Sequence, residues 1–265
     1  MILRRNMLLA GTALLAMGLG GTEVAKEAAD MVLTDDNFAS IEAAVEEGRG
    51  VWDNLVKFIT WTLPTNFGEG LVIVAAIVFG ATLPITPLQI LWINMTTAVL
   101  LGLPLAFEPI ERGIMQRMPR RLETAVLDAA LIRRITLVSL LLLGGSFGLF
   151  LRALENGHTL AEARTVAVNV FVMVEIFYLF NCRSLSLGFW KLGLFSNLWI
   201  WGGVASMLLL QLLLTYWSPL NAMFQTAPIG WAEWAEISAV ALLSSVLIGL
   251  EKHWAFHVKR PTDSA

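Results

Sequence analysis

Apolar residues run in six blocks, near 58–80, 88–107, 131–153, 164–181, 195–217 and 234–256, each approaching the roughly 20 residues that a membrane-spanning helix needs. The fourth block is short and is expected to extend into its flanks. The pattern predicts an all-α membrane protein with a six-helix region over residues 58–256. Ahead of it, residues 20–57 are soluble in character. A short helix is expected from Thr22 to Ala29, then a brief strand over Met31–Leu33 and an acidic turn. Asp36 or Asn37 can cap the next helix, because their side-chain oxygens accept from free backbone amides. That helix, FASIEAAVEEGRGVWDNLVKF, is amphipathic and runs into the first apolar block without a break. Pro64 is expected to kink it by removing one backbone hydrogen bond.

The first residues, MILRRNMLLAGTALLAMGLG, have the outline of a signal sequence: Arg4 and Arg5, an apolar run, then small residues. The run from Met7 to Gly20 is too short to span comfortably. Lysine and arginine then decide its meaning. Arg112, Arg117, Arg120, Arg121 and Arg133 crowd the loop 108–133, and Arg183 and Lys191 lie in 182–194. Lys252 lies near the end of the last block, and Lys259 and Arg260 follow it. The alternate loops 81–87 and 218–233 carry none, and the loop near 152–164 has only Arg152 and Arg164 at its edges. With both termini cytoplasmic, six spans satisfy the positive-inside rule, whereas a signal anchor at 7–20 would turn every basic loop outward. Residues 1–19 are therefore read as an atypical leader and not as a true signal peptide. Residues 257–265 are read as a cytoplasmic tail.

Of 265 residues, 57% are hydrophobic and 15% charged, against about 25% charged in soluble domains. The partner is membrane lipid. A net charge of −3 with no basic run excludes nucleic acid. The single cysteine, Cys182, excludes an intrachain disulfide framework and reads as an ordinary thiol near a helix end; no Cys/His cluster offers a zinc or copper site.

The chemistry lies in polar residues at membrane depth. Asn66 and Glu69 are three apart in the first block, so a helix brings both to one side. Asn94 and Thr97 repeat that spacing in the second, and Glu175 interrupts the fourth, with Asn169 and Asn181 nearer its ends. Gln211 in the fifth block is ambiguous. Such groups are costly in lipid unless they face one another, water or an ion. Carboxylate, amide and hydroxyl oxygens suit a hard cation. Hydrogen bonds that merely join helices are the competing account, strongest for the amides and the threonine.

Several stretches resemble the C-terminal third of the P-type cation-transporting ATPases, in their bacterial, calcium-pump-like branch. GTEVAKEAADMVLTDDNFASIEAAVEEGR is similar to the end of that family's phosphorylation domain, leading through a stalk helix into its fifth membrane helix. TNFGEG resembles the cation-ligand segment of the fifth helix, LQILWINMTTAVLLGLPLAFEP the sixth helix and its exit, and VEIFYLFNCRS the eighth helix. The resemblance covers about 17–256. It implies an α/β remnant of the phosphorylation domain before the six membrane helices. It also implies Asn66, Glu69, Asn94, Thr97 and Glu175 as cation ligands. Ala98 departs from it: calcium pumps place an aspartate straight after the threonine. The departure removes one negative charge and a bridging oxygen, so neither two-cation stoichiometry nor calcium itself is implied.

The family's phosphoryl-accepting D-K-T-G-T, its T-G-E loop and G-D-G-x-N-D are nowhere in the sequence, and the chemistry needs an acyl-phosphate-forming aspartate with magnesium beside it. No catalytic residue and no cofactor site is assigned to this chain; Mg and ATP are those of the complete family enzyme. The expectation is the translocation part of a truncated pump in the cell (inner) membrane, inactive alone, with the missing front half as a possible partner. The alternative is a free-standing six-helix protein: a passive cation pathway, a split-pump subunit or a regulator of intact pumps.

Overall fold

The computed structural model describes residues 15–111, 113–118, 127–184, 193 and 195–258. The expected leader up to residue 14, Arg112, Arg120, Arg121, Lys191 and the tail from Lys259 lie outside the described residues. The chain forms two compact units, one taking in residues up to Trp52 and the segment from Ile110, the other starting at Asp53.

In the first unit, strand β1 (Leu15–Met17) pairs in parallel with β2 (Met31–Leu33). Helix α1 (Glu23–Ala28) crosses between them, since parallel neighbours need a connection of about a dozen residues. Thr22 caps α1 by accepting from the Ala25 amide. The expected helix and strand are thus in place, but the fold reaches back into the segment read as leader: Leu15–Met17 is a strand. Tight backbone approach explains two glycines there. A Cβ on Gly21 would sit 2.1 Å from the Met17 carbonyl oxygen, and one on Gly18 2.7 Å from that of Leu33.

Of the two capping candidates, Asn37 does the capping, accepting from the Ala39 amide at 3.0 Å. Asp36 turns the other way with a left-handed φ of 51° and accepts from the Leu19 and Gly20 amides, both at 2.9 Å. Arg49 donates to the Ile114 and Arg117 carbonyls and so fixes the short turn after residue 113.

Helix α2 runs unbroken from Ala39 to Val78 through Pro64. In the second unit its later part joins α3 (Pro87–Thr97), α4 (Ala129–Glu155), α5 (Leu160–Cys182), α6 (Leu198–Tyr216), the short α7 (Ser218–Phe224) and α8 (Trp231–Val258). Six helices are long and apolar enough to cross a membrane, and they coincide with the six apolar blocks. Helix α5 is the central one, 83% of its membrane window being buried. Apolar residues lie on every side of it, as suits an enclosed helix, with Asn169, Glu175 and Asn181 as buried polar exceptions. Helices α4 and α8 pack along it.

Polar ties close both ends. At one, Glu251 of α8 accepts from Arg133 and Arg134 of α4, and Lys252 donates to the carbonyls of Asn181, in the last turn of α5, and of Ser184 just past it. At the other, Gln89 donates to the Phe224 carbonyl and Arg164 to that of Leu83. Cys182 is a buried free thiol.

Candidate cation site

Three helices meet at the candidate site, and a proline shapes the first. Pro64 has no N–H, so the Thr60 carbonyl four residues back loses its helical partner. The Tyr178 hydroxyl of α5 donates to it at 2.6 Å, and the Trp61 indole donates to the Glu175 backbone carbonyl at 3.1 Å. Ser139 of α4 donates to the Pro64 carbonyl. These bonds fix α2 against α4 and α5 one turn before Glu69.

Glu69 is buried, and its Oε2 accepts from Asn94 Nδ2 of α3 at 2.6 Å. Its Oε1 is buried without a hydrogen bond. Glu175 of α5 is 1% exposed. The Thr97 hydroxyl and the Glu69 carboxyl group lie beside its side chain, and its Oε2 is buried without a hydrogen bond. The structure therefore brings Glu69, Asn94, Thr97 and Glu175 together. Two buried carboxyl groups, each with an unpaired oxygen, are costly arrangements that a cation between them would relieve.

Asn66 is not among them: it is exposed. Three residues along a helix place two side chains about 60° apart, enough here to bury Glu69 and turn Asn66 outward. Ala98 is likewise exposed. Right after Thr97 the backbone widens into a π-helical turn, Ala98–Gly102, then tightens into a 3₁₀ segment, Leu103–Phe107. Single π turns frequently mark functional sites. Among the described residues no three His, Cys, Asp or Glu side chains gather as a metal group.

Sequence reasoning did not find Tyr178, Trp61 or Ser139. The signal for a donor was present, since Pro64 guarantees a freed carbonyl at Thr60, but nothing local names the donor. Gln211, ambiguous in sequence, is fully buried in α6, and its Oε1 receives the Trp92 indole at 3.5 Å. Asn169 donates to Thr215 and Asn181 to Ser245, so both join helices.

The profile of the family described as "Cation transporting ATPase, C-terminus" matches residues 82–254. The chain belongs to the P-type cation-transporting ATPases, as their C-terminal transmembrane part. It is 59% identical over 236 residues to the probable cation-transporting ATPase F of Mycobacterium tuberculosis, covering 89% of this chain and 26% of that protein. It is 41% identical over 227 residues to the cation-transporting ATPase pma1 of Synechocystis, covering 83% of this chain and 25% of that protein. With the calcium-transporting ATPase of Bacillus subtilis it shares 35% over 234 residues, 88% of this chain and 26% of that protein. The chain thus spans about a quarter of the length of these relatives. Its bacterial P-type ancestry and membrane location follow from these matches and from the six apolar helices.

Proposed function

We propose that the chain supplies the cation-coordinating part of a P-type pump's membrane domain. Glu69, Asn94, Thr97 and Glu175 are its ligands. The observation that carries this is the Glu69–Asn94 contact of 2.6 Å beside a second buried carboxylate, each carboxylate keeping an oxygen unpaired. An oxygen set of this kind fits a divalent cation such as calcium. With Ala98 in place of a bridging carboxylate, the site takes one cation. Asn66 enters the ligand set only through a further membrane segment laid on the exposed side of α2, which a front half of the pump would provide. In that complete pump, phosphorylation by ATP with Mg would act through the first part of α2. This stretch, without D-K-T-G-T, forms no phosphoenzyme alone. The basic end of the bundle, with Arg133, Arg134 and Lys252, faces the cytoplasm of a bacterial cell whose inner membrane it spans.

Equilibrium binding of Ca²⁺ and Mn²⁺ to the purified chain in lipid nanodiscs tests the reading. Saturable binding of one ion is expected, weakened at least tenfold by Glu69→Gln and by Glu175→Gln. Binding that ignores both substitutions, or no binding at all, overturns it.

A further inference from the structure

A buried ion pair of the bundle lies outside the cation site. Arg183 Nε donates to Glu108 Oε1 at 2.8 Å, and neither side chain has any exposed surface. Around this pair four elements converge. Asn197, the N-cap of α6, donates to the same Glu108 oxygen at 3.1 Å and to the Pro104 carbonyl at 3.0 Å. Asn54 of α2 donates to the backbone carbonyls of Glu108 at 2.8 Å and Ala106 at 3.1 Å, and its own oxygen accepts from the buried Lys57. Arg183 itself stands one residue past the end of α5 and also donates to Ser196.

Three of the elements tied to Glu108 are the three that carry the cation-site residues: α2 with Glu69, α3 and its exit with Asn94 and Thr97, α5 with Glu175. Between Thr97 and Glu108 the chain is not α-helical but π and then 3₁₀, geometries with weaker self-support. The placement of Thr97 and Asn94 is thus fixed from the anchored end. A hydrophobic contact of the same volume would hold the helices at least as firmly. What a guanidinium–carboxylate pair adds is direction, through donors in a rigid fork.

We infer that Glu108 and Arg183 are a positioning pair that registers the three ligand-bearing helices against one another at their common end, and so sets the geometry of the cation site without touching the ion. The inference rests on the cation-site reading above for its functional meaning, and on the clamp geometry alone for its mechanical content.

The test uses the full chain in nanodiscs, with Cys182→Ala and spin labels on the exposed positions Val74 of α2 and Met95 of α3, which flank the Glu69–Asn94 contact. Distance distributions are compared for the unsubstituted chain, Glu108→Gln and Arg183→Lys, with Arg152→Ala at the opposite end as control. The pair predicts that both clamp variants shift or broaden the distribution by about 1–2 Å, the scale of helix shifts at interfaces, while the control leaves it alone. Ca²⁺ binding weakens in the same variants by at least fivefold. Variants that only unfold at lower temperature, with distance and Ca²⁺ affinity unchanged, overturn the positioning role. Asn54→Ala removes α2's tether alone and keeps the test decisive if a charge variant does not fold. An unsubstituted chain that binds no Ca²⁺ sinks the cation reading, and the distances then decide the clamp by themselves.

Discussion

The Tyr178 hydroxyl completes the hydrogen bond that Pro64 takes away from Thr60, at 2.6 Å and fully buried. Removing the hydroxyl leaves a buried carbonyl unpaired, at about 1–3 kcal/mol. Tyr178→Phe should therefore lower the unfolding free energy by that amount. In a Pro64→Ala background the restored backbone N–H satisfies Thr60 itself, and the same substitution should cost under about 1 kcal/mol. Thermal unfolding of the four variants in detergent gives the coupling. Equal costs in both backgrounds would break the link between the two residues.

Neighbouring glycines in α6 should respond in opposite ways. A Cβ on Gly203 would lie 1.9 Å from the Leu100 carbonyl oxygen, whereas one on Gly202 meets nothing within 4 Å. Gly203→Ala should destabilise by about 1–3 kcal/mol, as overpacking does. Gly202→Ala should be neutral or stabilising by up to about 1 kcal/mol, because alanine is the better helix former. Melting temperatures of the two variants measure the contrast. A fall for Gly202→Ala as large as for Gly203→Ala would contradict the close approach of α6 to the π turn.

Much of the architecture was legible because a bilayer demands long apolar runs, and such runs show in one dimension. All six spans came through, as did Met31–Leu33 and the Asn37 cap. What was hidden depends on partners far away in sequence. Strand Leu15–Met17 has its hydrogen-bonding partner across α1, and its apolar residues read equally well as part of a leader. The π turn at Ala98–Gly102 lies where α6 presents Gly203, a contact no local pattern announces. The i, i+3 rule joined Asn66 to Glu69, yet it is accurate only to about 60° around a helix, and burial fell between them. Arg183 read as a loop charge because it stands just beyond an apolar block, and Glu108 carried no signal of its own.

At the start of α2, Ser40 and the Asn37 amide hydrogen-bond the Asp35 carboxylate and hold its pKa below the ordinary 3.8. A depressed folded pKa means that the contribution is present above the unfolded value and lost as pH falls through the folded one. The Ser40 and Ile41 amides should accordingly lose protection, relative to their intrinsic exchange rates, below about pH 4. Asp35→Asn should remove that pH dependence. Hydrogen exchange at these amides between pH 3 and pH 6 measures it, and a pH profile unchanged by Asp35→Asn would count against this cap.

The most direct measurement is anomalous diffraction from the chain soaked with Mn²⁺. The account predicts one Mn²⁺ peak between the carboxylates of Glu69 and Glu175, within coordination distance of Asn94 or Thr97 and lost in Glu69→Gln. A peak elsewhere with this position empty, or Glu69 and Glu175 turned apart towards separate lipid-facing surfaces, would contradict it.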